Sequence, residues 1–168
     1  NERVEDAFAL AQKIDPNCED GFAYHNLMGK LYHNTQKFAE SLEHLQTVEE
    51  ILRNLTDDGT EETRKRKLRL PEILQVQGHC LMKLGRTQEA KEKLEAALAE
   101  APEDPEVLTL MGKILFASGD YTYAIDVFQR LLRASAGAWV AELLMALCLY
   151  RLRRDREAFY AVNRAIAI

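Results

Sequence analysis

The sequence contains few of the residues that interrupt regular secondary structure. Its 168 residues include only four prolines and eight glycines, and no low-complexity stretch is visible. A composition of 47% hydrophobic and 29% charged residues is typical of a folded chain about one ordinary domain long. No apolar run approaches the roughly 20 residues that span a bilayer, so we expect no membrane span.

Cysteine is also scarce, and the chain lacks a net positive charge. The three cysteines, Cys18, Cys80 and Cys148, are odd in number and lack C-x-x-C spacing. We interpret them as small core residues in a reducing, cytoplasmic environment. A net charge of −5 argues against nucleic acid as a partner, because phosphate binding needs a basic surface. The chain begins at Asn1 without a signal-like segment, and we expect it to be an excised fragment.

The patterns that accompany catalysis or metal binding are absent. His25, His33, His44 and His79 show neither H-E-x-x-H nor Cys/His ligand spacing. There is no glycine-rich phosphate loop and no G-x-S-x-G sequence. We therefore predict a protein that is not an enzyme and that uses no metal and no cofactor.

The chain does contain an internal repeat with a period of 34 residues. Gly78, Gly112 and Ala146 are separated by that interval (78 to 112 and 112 to 146). Four further columns agree at the same shift, namely Leu81, Leu115 and Leu149; Ala90, Ala124 and Ala158; Leu94, Phe128 and Val162; and Ala97, Leu131 and Ala165. An earlier unit has the same form around Met28-Gly29, Tyr32, Ser41 and Leu45.

These columns predict one array that comprises residues 1–168. Val4, Phe8, Ala11 and Pro16 repeat the second-helix spacing, so the array opens on the second helix of a truncated repeat. The predicted segments are that helix (1–21), a repeat (22–55), a charged insert (56–70), and three repeats (71–104, 105–138 and 139–168), the last without a capping helix.

Each unit reads as a pair of helices joined by a tight turn. Small residues in both helices allow their backbones to approach, and leucines and aromatics at spacings of three and four fill the seam. Asp104 before Pro105 predicts an N-cap, and Gly119 predicts a helix stop. Gly85 and Gly119 occupy the turn column, where Arg153 stands in the last unit. The fold class that we predict is therefore all-α.

The repeat resembles the tetratricopeptide repeat. The best match begins at Pro105 and contains Met111-Gly112, Leu115, Gly119-Asp120-Tyr121, Ala124 and Phe128. The tryptophan usual in the first helix is replaced by His25, Leu74, Leu108 and Glu142. The resemblance implies an α-α solenoid, in which antiparallel helix pairs stack into a right-handed superhelical array.

The resemblance also implies that first helices line a concave surface that binds a partner. Helical geometry then selects side chains that lie off the glycine and leucine seam. The predicted partner-binding residues are Asn26, Lys30, His33, Asn34, Gln75, His79, Lys83, Thr109, Lys113, Phe116, Leu144, Leu147 and Tyr150. They change from polar and mildly basic to apolar along the chain. We therefore expect a scaffold or adaptor that binds a peptide or helix with an acidic end and an apolar end.

The C-terminal segment 139–168 supports a second hypothesis. The helix that begins at Trp139 is apolar nearly all round, and such a helix must be buried somewhere. Either further repeats follow in the intact protein, or this end docks a partner or a second copy of the chain. The alternative function is thus a structural assembly module that forms a homo-oligomer.

The insert 56–70 is strongly charged. Asp58 could cap a helix that carries Glu61, and Glu61–Lys65 and Glu62–Arg66 are favourable pairs four residues apart. We expect a lengthened, solvated helix before Pro71. A basic patch for an acidic partner and a nuclear-import signal remain open.

Overall fold

The computed structural model describes residues 8, 9, 11, 13, 21–56, 58–135 and 138–167. Most of the predicted helix at 1–21, including Val4 and Pro16, lies outside the described residues, as do Cys18 and Asp57. The chain divides into two compact units, Asn1–Lys93 and Leu94–Ile168. We describe each unit separately.

The described residues form helices and no strands, which confirms the predicted all-α class. The first unit contains α1 (Phe22–Asn34), α2 (Phe38–Asn54), α3 (Glu61–Lys67) and α4 (Leu70–Lys83). Helix α5 (Thr87–Glu100) includes the division between the units. The second unit contains α6 (Pro105–Ser118), α7 (Tyr121–Ala134), α8 (Trp139–Arg151) and α9 (Asp155–Ala167).

Helix packing in the first unit is centred on α2. Helix α2 packs against α1 on one side and α4 on the other, and the short α3 also contacts it. Five buried side chains from α1, α2 and α4 form its core, namely Phe22, Leu45, Val48, Leu52 and Ile73. In the second unit, α6 packs against α7, α7 against α8, and α8 against α9.

Glycine permits a close helix approach within each unit. A Cβ atom added at Gly29 would lie 2.7 Å from Cδ2 of Leu45, and one added at Gly112 would overlap the ring of Phe128. Leu45 and Phe128 are fully buried, so moving either side chain outward would disrupt the packing around it. The small residues of the repeat thus mark the positions where a large side chain from the paired helix lies against backbone.

A chain of buried hydrogen bonds supports the same approach in the first unit. The Ser41 hydroxyl donates to the carbonyl of Gly29 at 2.8 Å, and the Cys80 thiol donates to the Ser41 oxygen at 3.5 Å. Burial raises the pKa of the Cys80 thiol, and it raises the pKa of Cys148 to about 11. Both cysteines are free and buried, as predicted.

The turn after each first helix uses the left-handed backbone region. Gly85 and Gly119 have φ angles of 76° and 83°, and Arg153 in the same column has φ 60°. Gln36 occupies the corresponding turn of the first unit with φ 61°. Gly119 ends α6 as predicted. Arg153 and Gln36 adopt the same left-handed conformation, which is energetically unfavourable for residues other than glycine.

One capping prediction is confirmed and one is wrong. Asp104 caps α6, because its carboxylate accepts from the backbone N–H groups of Glu106 and Val107. Asp58 does not cap α3 directly. Thr60 is the N-cap, and Asp58 accepts from its N–H and hydroxyl groups at 2.9 and 2.7 Å.

The insert forms a separate helix and not the predicted extension of α4. Helix α3 ends at Lys67, and α4 begins at Leu70. The two predicted ion pairs are present, since Lys65 contacts Glu61 at 2.8 Å and Arg66 contacts Glu62 at 3.1 Å. The Arg66 guanidinium also lies 5.2 Å from the ring centroid of Phe22, so a cation–π contact helps to hold this helix.

The close approach at Gly112 predicts a sensitivity to one methyl group. We expect Gly112→Ala to lower the free energy of unfolding by about 1–3 kcal/mol, because the Phe128 ring must move out of a packed site. Combining Gly112→Ala with Phe128→Leu should cost less than the sum of the two single changes. Urea denaturation of the four proteins measures this. A neutral or stabilising Gly112→Ala would contradict the prediction.

Candidate partner-binding surfaces

Helices α1 and α4 carry the predicted polar residues of the first unit. Asn26, Lys30, His33 and Asn34 lie on α1, and Gln75, His79 and Lys83 lie on α4. Each is at least partly exposed. The side-chain oxygen of Asn26 is nevertheless shielded from solvent and has no hydrogen-bond partner among the described residues, which places that acceptor out of a partner's reach.

Lys30 is engaged within the unit. Its ammonium group lies 2.7 Å from a carboxylate oxygen of Glu72 on α4, and both side chains are partly exposed. The pair adds little to stability in that setting, but it neutralises the charge of Lys30. The positive charge of Lys30, which was predicted to attract an acidic partner, is therefore already balanced by Glu72.

His33 and His79 form a direct contact between α1 and α4. Nε2 of His33 lies 2.8 Å from Nδ1 of His79, which is hydrogen-bond distance. The ring of Phe38, at the start of α2, packs edge-on against both imidazoles. This contact brings together two predicted residues that are 46 positions apart in sequence.

An open pocket of about 420 Å³ surrounds this histidine pair. Its described lining residues are His33, Asn34, Gln36, Phe38, His79 and Lys83. Four of the six are predicted partner-binding residues. The other two, Gln36 and Phe38, belong to the turn that joins α1 to α2 and to the start of α2, which the selection from first helices could not include.

A second histidine pair was not predicted from the sequence. Nδ1 of His25 lies 2.8 Å from Nδ1 of His44, and the rings of Tyr24 and Tyr32 pack around the pair. Burial lowers the pKa of both imidazoles. The neighbouring His25 lowers the pKa of His44 further, against a smaller opposing effect of Glu43. The sequence signal is weak: His25 occupies the tryptophan column, and His44 is on the other helix.

Glu49 is a buried carboxylate on α2. Burial raises the pKa of Glu49, but hydrogen bonds from Lys93 and from Arg53 at 2.9 Å outweigh that effect, and the net pKa is lowered. The two cations, Lys93 and Arg53, explain why Glu49 stays ionised although it is buried.

The predicted residues of the second unit lie on α6 and α8. Thr109 donates to the Pro105 carbonyl at 2.7 Å, and Phe116 packs edge-on against Tyr121. Both are thus engaged within the unit, whereas Lys113 is exposed. On α8, Leu144 is half-buried, while Leu147 and Tyr150 are 48% and 58% exposed.

Further apolar side chains are exposed on α8 and α9. They are Trp139 and Val140 on α8, and Phe159, Tyr160, Val162 and Ile166 on α9. A smaller pocket of about 250 Å³ lies in this unit, with the buried Met145, Leu149 and Ile125 among its lining residues. Two arginines at its edge are paired, Arg154 with Glu157 and Arg164 with Glu142.

Comparison with known proteins identifies the family. A sequence model described as tetratricopeptide repeat matches residues 76–139 and 109–168, more than half of the chain. The chain belongs to the tetratricopeptide repeat (TPR) family. A search of curated protein sequences finds no match.

Solved structures of TPR proteins have the same fold. The crystal structure of MamA aligns with a TM-score of 0.81 at 15% sequence identity, over 98% of this chain and 87% of that chain. The structure of YrrB, described as a TPR protein with an unusual peptide-binding site, aligns with a TM-score of 0.77 at 17% identity, over 99% of this chain and 78% of that chain. These likenesses confirm the predicted TPR-type solenoid class.

Membership of the TPR family gives the general function. TPR proteins are interaction modules that are generally non-catalytic, so this chain is a protein–protein interaction scaffold in general terms. Among the described residues, no helix is both long and apolar enough to cross a bilayer. The described part of the chain also holds no group of three or more His, Cys, Asp or Glu side chains arranged for a metal ion.

The half-buried His25–His44 pair of this TPR chain predicts acid sensitivity. The folded-state pKa values of His25 and His44 lie below the ordinary 6.5, so the unfolded chain binds more protons as the pH falls. The stability that the neutral pair contributes is fully present above about pH 6.5 and is lost as the pH falls through the folded-state values.

We therefore expect the urea midpoint of the first unit to decrease between about pH 7 and pH 5. The decrease should be smaller in His44→Gln, whose neutral amide takes up no proton. A matched control is His44→Gln measured at about pH 8, where the histidine is neutral and only packing is changed. An equal decrease with and without His44 would contradict this assignment.

Proposed function

We propose that this TPR chain holds a segment of another protein through a polar surface in the first unit and an apolar surface in the second. The observation that carries the proposal is the pocket at the His33–His79 contact. Its lining includes four residues selected from the sequence as partner-binding, contributed by two different repeats. A pocket that joins two helices is fixed in shape by their packing, so binding there orders few groups.

The chemistry of this pocket favours an acidic segment. Lys83 is exposed at its edge, the amides of Asn34 and Gln36 can donate, and none of its described lining residues carries a carboxylate. Lys30, by contrast, is compensated by Glu72. We therefore assign the attraction of an acidic partner to Lys83 and not to Lys30.

The apolar surface of the second unit lies on α8. Its apolar side chains recur at intervals of three and four residues and therefore share one helical face, namely Val140, Leu143, Leu147 and Tyr150. Leu147 and Tyr150 project into solvent, and tyrosine offers a large contact area with a polar tip. Such a stripe suits the apolar residues of a bound peptide or helix. The peptide-binding site named for YrrB supports a peptide as the type of ligand.

The first-unit surface can be tested by charge reversal. We expect Lys83→Glu to remove specific proteins from an affinity capture out of cell lysate, quantified by mass spectrometry, because a carboxylate at the pocket repels an acidic segment. Lys67→Glu is the matched control, since Lys67 is an exposed lysine of α3 that does not line the pocket. Lys30→Glu is unsuitable, because it would place two carboxylates at the contact with Glu72.

If the native chain, Lys83→Glu and Lys67→Glu capture the same proteins in the same amounts, the pocket does not hold the partner. Thermal denaturation of each variant establishes that a loss of capture does not come from unfolding.

Self-association is the second candidate function, and the exposed side chains of α8 and α9 favour it. Leu147, Phe159 and Ile166 are each about half exposed or more. We expect the molar mass measured by sedimentation equilibrium to rise with concentration, and Leu147→Glu with Phe159→Glu to weaken the association at least about tenfold, because a buried carboxylate is costly.

Leu84→Glu is the control for self-association, since Leu84 is an exposed leucine of the first unit. A constant monomer mass across the concentration range, or an equal effect of Leu84→Glu, would rule out self-association through α8 and α9.

A further inference from the structure

Helix α3 and the turn after it carry a run of positive charge that the proposed function leaves without a role. Five of the six residues from Arg64 to Arg69 are lysine or arginine, and no carboxylate occurs between Glu62 and Glu72. The chain as a whole has a net charge of −5, so this run is a local reversal of sign. None of its residues is among those described as lining the histidine-lined pocket. We therefore consider it as a separate surface.

One side of this segment packs against the first unit. Thr63 is buried, and Leu70 packs against the core of the unit. The Arg66 guanidinium lies between them in sequence and is 5.2 Å from the ring centroid of Phe22. Thr63, Arg66 and Leu70 are spaced by three and four residues, so they share one helical face. That inward face fixes the orientation of the remaining cations.

The opposite side carries the other four cations with one leucine among them. The helical turn continues past the end of α3, because the N–H groups of Leu68 and Arg69 donate to the carbonyls of Arg64 and Arg66. At about 100° per residue, the four cations cover an arc of roughly 200°, and Leu68 lies near its middle. Leu68 is 79% exposed. We call the exposed set the basic corner, namely Arg64, Lys65, Lys67, Leu68 and Arg69.

Little of the charge on the basic corner is balanced within the chain. Lys65 contacts Glu61 at 2.8 Å, but both side chains are largely exposed, so the pair is weak and can exchange for another anion. Arg64, Lys67 and Arg69 form no ion pair with any residue that the structure describes. The corner therefore presents unbalanced cations around a solvent-exposed apolar side chain.

A wide arc of cations around a protruding leucine fits a flat anionic surface. A bilayer presents headgroup phosphates to the whole arc at once, and the long stems of lysine and arginine let their charged ends reach those phosphates. The leucine between them can enter the boundary between headgroups and acyl chains. A peptide segment, by contrast, follows one line along a helix and meets only part of such an arc.

We propose that the basic corner docks this chain on the surface of a membrane that contains anionic lipids. This inference goes beyond the proposed function, since its ligand is a lipid surface and its residues lie outside the histidine-lined pocket. Each lysine or arginine near an anionic membrane strengthens binding roughly fivefold, and one leucine adds a smaller apolar contribution. The docking is therefore peripheral, reversible and sensitive to salt.

The test is co-sedimentation of the whole chain with vesicles of phosphatidylcholine that contain about one third phosphatidylserine. We expect binding to these vesicles and none to vesicles of phosphatidylcholine alone. Raising the salt concentration from about 0.05 M to about 0.5 M should release the chain, because the shorter Debye length screens the headgroup charge. Binding that is equal on both kinds of vesicle, or absent from both, overturns the proposal.

Matched variants assign the binding to the basic corner. Arg64→Gln with Arg69→Gln should weaken binding roughly tenfold or more, because two cations are lost. Arg133→Gln with Arg156→Gln is the control, since both are exposed arginines of the second unit and the change in net charge is the same. Equal weakening by the two double variants would show that net charge, and not this corner, attracts the membrane.

The apolar contribution is tested at Leu68. Leu68→Ser should weaken vesicle binding roughly threefold and leave its salt dependence unchanged, because it removes apolar contact and no charge. Leu84→Ser is the control, since Leu84 is an exposed leucine at the end of α4. Circular dichroism of each variant shows whether the helices are retained.

A labelled hexaglutamate peptide distinguishes a lipid surface from an acidic protein segment. If the chain binds this peptide through Arg64 and Arg69 but does not bind the anionic vesicles, the ligand is an acidic segment and the proposal is wrong. The outcome leaves the histidine-lined pocket untouched, because that pocket is tested by Lys83→Glu and protein capture. Lys67→Glu remains a control in that capture when the lysate is first cleared of membranes.

Discussion

Paired helices approach closely in both units because a glycine on one helix leaves room for a large buried side chain of the other. At Gly29 that side chain is Leu45, and at Gly112 it is Phe128. Buried hydrogen bonds support the same approach in the first unit, where the Ser41 hydroxyl donates to the carbonyl of Gly29 and accepts from the thiol of Cys80. Apolar packing and a short buried hydrogen-bond chain therefore specify the same arrangement of α1, α2 and α4, and no single contact has to supply it alone.

The candidate binding surface of the first unit depends on that arrangement. His33 and His79 come from helices that both pack on or beside α2, and their nitrogens meet at 2.8 Å only because the helices are held at a fixed separation. The ion pair between Lys30 and Glu72 joins the same two helices. Because it is exposed, it contributes little energy, but it removes one positive charge from the surface. The charge pattern seen by a partner therefore differs from the one that counting lysines along α1 would give.

Much of the local structure could be predicted from the sequence because it depends on near neighbours. The N-cap at Asp104, the helix stop at Gly119 and the ion pairs of α3 involve residues at most four positions apart. The sequence predicted Asp58 as the N-cap of α3, but the N-cap is Thr60. Both residues have a side-chain oxygen that can accept from a backbone N–H, and the path of the backbone decides which of them does so. Contacts over long sequence separations could be predicted only as shared surfaces. The repeat placed His33 and His79 on one type of face, but it could not indicate that they touch, or that His25 and His44 pair 19 residues apart.

Composition alone also does not reveal that the two histidine pairs have different neighbours. His25–His44 and His33–His79 share the same separation of ring nitrogens, so the hydrogen bond itself cannot distinguish them. Two tyrosine rings pack against the first pair, and partial burial lowers the pKa of both histidines, so the contribution of this pair to stability is present near neutral pH and is lost in acid. The second pair lines an open pocket together with Lys83, and none of the described lining residues carries a carboxylate. The same residue type thus forms a structural contact in one place and lines a candidate recognition pocket in the other, and the neighbouring side chains make the difference.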